Sequence, residues 1–112
     1  MSRFVIEGGY PLRGEIRPVG NKNGALPMLA ACLLTDEPVI LHNVPDIEDV
    51  QVMLNLLANL GVDTRFEGGT AELCAAGLKS TTPNPDLCRR ARASILLAGP
   101  LIARHRQVAL SP

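Results

Sequence analysis

A short apolar run opens the chain. Phe4-Val5-Ile6 reads as a short strand closed by Gly8-Gly9, and Leu12 to Val19 reads as its partner. In that partner Gly14 marks a bulge and Pro18 an edge or strand end. From Ala25 the apolar positions become almost continuous. Leu26, Met28, Leu29, Cys32, Leu33 and Leu34 fall on nearly every side of a helix from Gly24 or Ala25 to Leu34, which predicts burial on most sides. Pro27 fits only the first turn of a helix, so it sets the helix start close to Lys22 and Asn23. Thr35-Asp36-Glu37-Pro38 ends this helix, and Val39-Ile40-Leu41 is a short strand.

Ile47, Val50, Leu54 and Leu57 follow helical spacing, widened by Met53, Leu56 and Leu60. Asp46 is the expected cap of this second helix, Asp49 suits its positive end, and Gly61 is its stop. Val62 to Phe66 and Ala71 to Ala75 alternate around Gly68-Gly69, which predicts a hairpin. A third helix opens near Asn84-Pro85 and reaches about Arg104, kinked or interrupted at Gly99-Pro100. Val108-Ala109-Leu110 begins another strand. The order strand pair, helix, strand, helix, hairpin, helix, strand makes an α/β or α+β layered unit.

Composition narrows the function classes. The chain has 112 residues with 46% hydrophobic and 3% aromatic positions and no Trp, so its core is aliphatic. Eleven basic and eleven acidic residues cancel, so nothing in the charge points to nucleic acid or a membrane surface. No apolar run is long enough to span a bilayer, and the N-terminus goes straight into a strand pattern without the apolar core and cleavage site of a leader. Cys32, Cys74 and Cys88 have no metal-type spacing and read as structural thiols in a reducing cytoplasm.

The chemistry concentrates in Gly20-Asn21-Lys22-Asn23-Gly24-Ala25-Leu26-Pro27. A helix start carries N–H groups without intrahelical partners and partial positive charge, and Lys22 adds a full charge beside them. Asn23 can accept from and donate to a hydroxyl or an enol oxygen. The junction therefore suits a phosphate or carboxylate with a hydroxyl beside it; a solvated lysine and a capping asparagine is the plainer alternative. Arg89, Arg90 and Arg92 form a second cluster, and a continuous helix would put Arg89, Arg92, Leu96 and Gly99 near one face. Arg92 then either grips a carboxylate, phosphate or diphosphate, or forms a salt bridge to Asp86, Glu48 or another acid. His42 and His105 read as surface residues. The sequence has no Walker loop, dinucleotide fingerprint or nucleophile elbow.

These segments resemble the N-terminal portion of the UDP-N-acetylglucosamine 1-carboxyvinyltransferase (enolpyruvyl transferase) family. The resemblance rests on Leu12-Arg13-Gly14-Glu15-Ile16, Lys22-Asn23-Gly24-Ala25-Leu26-Pro27, Leu41-His42-Asn43-Val44-Pro45-Asp46-Ile47-Glu48-Asp49-Val50, Arg92-Ala93-Ser94-Ile95 and Gly99-Pro100-Leu101-Ile102-Ala103-Arg104. It implies a two-lobe fold of repeated α/β units, an inside-out α/β barrel. Residues 1–21 would be a strand pair packed with the second lobe, and 22–112 the first repeat of the first lobe. It also implies transfer of the enolpyruvyl group of phosphoenolpyruvate to the 3′-hydroxyl of UDP-N-acetylglucosamine, without metal or organic cofactor. Lys22 and Asn23 would hold phosphoenolpyruvate and Arg92 the UDP-sugar. The family's general acid, Cys or Asp, would lie beyond Pro112, so no catalytic residue is assigned within the chain. The chain is expected to be an N-terminal fragment, inactive without its second lobe; the alternatives are a relative acting on another hydroxyl acceptor and a non-catalytic or truncated homologue.

Overall fold

The computed structural model describes residues 2–90, 92–106 and 108–109, with the side chains of Arg92 and Ala93 outside that description. The elements are α1 (Lys22–Ala31), β1 (Val39–Leu41), α2 (Glu48–Leu60), β2 (Asp63–Glu67), β3 (Thr70–Cys74), α3 (Pro85–Arg90) and α4 (Ala98–His105). Cys32–Leu34 and Arg92–Leu97 are 3₁₀ helices. One antiparallel sheet in the order β1-β3-β2 carries the helices. Val39 pairs with Leu73, and Arg65 faces Glu72 across the hairpin.

The core is aliphatic. Leu29, Leu33, Met53, Leu56, Leu57, Leu60, Leu73, Leu97 and Leu101 are almost fully buried. Helix α2 supplies the largest share because its apolar stripe spans Val50, Val52, Met53, Leu54, Leu56, Leu57 and Leu60. Each of these contributes about 1.5–3 kcal/mol by leaving water. The helix stops at Gly61 in the left-handed region, φ 105°. A Cβ there would lie 2.6 Å from the Gly77 carbonyl oxygen, so only glycine fits the turn.

Six sequence expectations are corrected. The leading strand pair does not form: residues 2–19 carry no strand and are exposed, with Phe4 93%, Ile6 88% and Leu12 96% accessible. An isolated hairpin with no third strand and no covering helix is at best marginal in water. The radius of gyration, 17.2 Å, exceeds the roughly 13 Å of a compact chain this long, in keeping with a segment lying off the core.

Helix α1 begins earlier than its proline suggested, at Lys22. Asn21 caps it by accepting from the Gly24 N–H at 2.7 Å, which outweighs the hydrogen bond that Pro27 cannot donate. It is also buried on one face only, since Met28 and Leu34 stay more than half exposed.

Asp46 does not cap α2. Ile47 stands at the cap, and Asp46 accepts from Gln51 Nε2 at 2.9 Å instead.

The third helix is three pieces. Gly99 and Pro100 lie in the first turn of α4, where a missing N–H is harmless, and the tighter 3₁₀ stretch precedes them. The last predicted strand has Val108 and Ala109 without strand structure, Ala109 N–H donating to the Thr81 carbonyl at 3.2 Å, while Leu110 lies outside the described residues.

Candidate functional site

The first turn of α1 has two of its donors occupied. Gly24 N–H goes to the Asn21 side chain and Ala25 N–H to the Asn21 carbonyl at 3.0 Å. The N–H groups of Lys22 and Asn23 lie at the open end of the helix, as helical geometry requires of first-turn residues. Asn23 is exposed, consistent with an approachable amide.

Lys22 does not stand alone. Its Nζ lies 3.0 Å from Asp49 Oδ2, with the two side chains 50% and 40% exposed. Asp49 sits in the first turn of α2, where the helix dipole favours a carboxylate. The pair therefore joins the starts of two packed helices. At this exposure it contributes no more than about 1 kcal/mol to stability, so its main consequence is to fix where the ammonium points. Sequence reasoning gave Asp49 only the role of favouring the helix end; the contact with Lys22 depends on how α1 packs on α2.

The same acidic turn reaches the second cluster. Glu48 Oε1 lies 3.4 Å from Arg90, and Asp86 Oδ1 lies 3.1 Å from Arg89. The two acids that the sequence offered to Arg92 thus pair with its neighbours. Arg92 opens the 3₁₀ helix Arg92–Leu97, with its side chain outside the described residues. A single helical face through Arg89, Arg92, Leu96 and Gly99 does not exist, because α3 ends at Arg90. Ser94, within the Arg-Ala-Ser motif, turns inward and donates to the Cys88 carbonyl at 3.5 Å.

Arg104 proves structural. Only 20% exposed, it donates to the Leu33 carbonyl at 2.6 Å and pairs with Asp36. It thereby closes the carbonyl end that the first helix leaves open.

A cavity of about 360 Å³ lies on the other flank of α1, lined by Asn21, Gly24, Met28, Ile40, His42 and Asn43 among others. Lys22 does not line it. Gly20 closes one side, where any Cβ would overlap the Asn43 carbonyl oxygen. His42 is exposed, with Nδ1 3.5 Å from Thr70 Oγ1. Burial pushes the Cys32 thiol pKa up, and its Sγ donates to the Met28 carbonyl at 3.3 Å.

A UDP-N-acetylglucosamine 1-carboxyvinyltransferase of Bradyrhizobium diazoefficiens is 45% identical over 98% of this chain and 26% of its own length. Enzymes of the same name from Methylacidiphilum infernorum and Treponema pallidum are each 47% identical, over 99% and 100% of the chain. The chain spans about a quarter of the length of these relatives. The crystal structure of the enolpyruvyl transferase NikO from Streptomyces tendae superposes with a TM-score of 0.74 at 27% identity, over 87% of this chain and 23% of that one. The profile of EPSP synthase (3-phosphoshikimate 1-carboxyvinyltransferase) matches residues 6–111, through the Lys22 junction and the arginine cluster alike, and the chain belongs to that family.

Proposed function

We propose that the protein transfers the enolpyruvyl group of phosphoenolpyruvate to the 3′-hydroxyl of UDP-N-acetylglucosamine and releases phosphate. The reading rests on relatives of that name matching 98% or more of this chain, and on one observation within it. That observation is an ammonium fixed at the meeting point of two helix starts, Lys22 on Asp49. The hydroxyl oxygen adds to C2 of the enol while C3 takes a proton, giving a tetrahedral intermediate. Loss of phosphate from C2 and of a proton from C3 restores the double bond. Net redox state is unchanged, so the step calls for no redox cofactor.

In this reading Lys22 and the first-turn N–H groups neutralise charge on phosphoenolpyruvate as phosphate departs. Asn23 holds the attacking hydroxyl or the intermediate, and Arg92 takes the UDP-sugar. None of the three thiols is given the proton-donor role: Cys32 and Cys88 are buried, and Cys74 Sγ donates to the Asp36 carbonyl at 3.3 Å. The exposed apolar side chains of residues 4–19 suit packing against a second lobe. Three free thiols fit a reducing cytoplasm. No helix among the described residues is long and apolar enough to cross a membrane. The product would feed peptidoglycan synthesis, and with it cell-wall biogenesis, cell shape and division.

A second reading keeps the chemistry and changes the acceptor, since the matching family profile is described by 3-phosphoshikimate. One experiment addresses both. The protein at its full encoded length is given phosphoenolpyruvate with either acceptor, and phosphate release and product mass are followed. Turnover is expected with the UDP-sugar and to fall to near background in Lys22→Ala, with an unchanged circular dichroism spectrum. Wild-type turnover by Lys22→Ala would remove the role given to this lysine.

A further inference from the structure

We propose that Asp49 is a positioning residue for the Lys22 ammonium in the enolpyruvyl transfer, an inference that rests on the substrate-binding role just given to Lys22. Three observations carry it. The contact is close, 3.0 Å. Lys22 is at the first position of α1 and Asp49 in the first turn of α2, so both ends of the pair are anchored on helices that pack together. The neighbouring Glu48 serves a different cation, Arg90, through a more exposed contact of 3.4 Å.

A lysine has four flexible side-chain bonds, and a free one at a half-exposed surface samples many rotamers. One carboxylate accepts one of its three N–H bonds and leaves two for a ligand, in a narrowed cone. Because the carboxylate is itself held by the α2 dipole, the ammonium meets an incoming phosphate or carboxylate already placed rather than being gathered at the moment of binding. Asp49 touches no substrate in this scheme and acts only through Lys22.

Glu48 provides an internal control. Glu48→Gln and Asp49→Asn remove the same charge from the same turn of α2. A role in helix stability alone would make the two variants alike. A positioning role separates them.

In the full-length protein, Asp49→Asn is expected to raise the KM for phosphoenolpyruvate roughly tenfold or more while the KM for UDP-N-acetylglucosamine stays within about twofold. Glu48→Gln should change neither. Asp49→Glu, which keeps the charge one methylene further out, should recover part of the loss. On a Lys22→Ala background, with phosphoenolpyruvate binding followed by direct titration rather than turnover, Asp49→Asn should add little further, because the group it places is gone. If Asp49→Asn does not fold, Asp49→Ser keeps an oxygen in the first turn of α2 and serves the same comparison.

Equal effects of Asp49→Asn and Glu48→Gln, or no rise in the KM for phosphoenolpyruvate, would overturn the inference while leaving Lys22 in its role. Normal turnover by Lys22→Ala would overturn both, so the two failures are told apart by that single variant.

Discussion

The leading segment and the hairpin of β2 and β3 start from the same kind of sequence and end differently. Both set short apolar-rich segments around a pair of glycines, Gly8-Gly9 in one and Gly68-Gly69 in the other. The hairpin forms because β1 adds a third strand along β3, α2 packs on β2, and Ala71 and Leu73 are buried in the common core. The leading segment has neither, and Phe4, Val5, Ile6, Leu12, Ile16 and Val19 remain in water. Strand pattern sets which side chains could share a face. Only a neighbouring strand and an apolar cover make that face worth forming.

The sharpest test of this contrast is truncation of one apolar side chain in each region. Leu57→Ala removes a fully buried side chain of α2 and is expected to destabilise the chain by about 2–5 kcal/mol in urea unfolding. Phe4→Ala, at 93% exposure, should stay within about 0.5 kcal/mol. Similar losses from the two would show that the leading segment is packed after all. In a protein carrying a second lobe, a large loss at Phe4 would identify the surface that covers it.

A smaller effect separates the glycines. Gly61→Ala forces a Cβ into a positive-φ turn and against the Gly77 carbonyl, so a loss of about 2 kcal/mol is expected. Gly14 also has positive φ, 131°, but a Cβ there meets nothing within 4 Å. Gly14→Ala should therefore leave the melting temperature almost unmoved, because the exposed segment can relax. An equal drop at both positions would break the comparison.

The smallest effect reads how dry the ordered body is. Burial raises the pKa of Cys32, so the folded chain holds that proton more tightly than the unfolded one. The resulting stability is fully present below the ordinary thiol range and is lost as pH rises through it toward the folded value. Relative to Cys32→Ala, the wild-type chain should lose stability above about pH 8.5–9, seen as a falling unfolding midpoint. A difference between the two that does not change with pH would mean that water reaches the thiol.

The chain's own order carried a good deal of this. Helix α2 and its stop at Gly61 were legible because helical spacing and a left-handed stop are local properties. The hairpin was legible from alternation and two glycines, and a helix start beside Lys22 and Asn23 from the glycines and apolar run around them. Family membership was legible from motifs in their sequence order.

Tertiary structure decided what depends on partners far along the chain. Asp49 meets Lys22 only because α1 packs on α2. Arg104 closes the end of the first helix across 71 residues, and Asp86 and Glu48 pair with Arg89 and Arg90. The exact start of α1 turned on whether a cap at Asn21 outweighs a proline five residues inside. Periodicity records which side of an element is apolar. It holds no record of distance between elements, and the pairing of charges depends on distance.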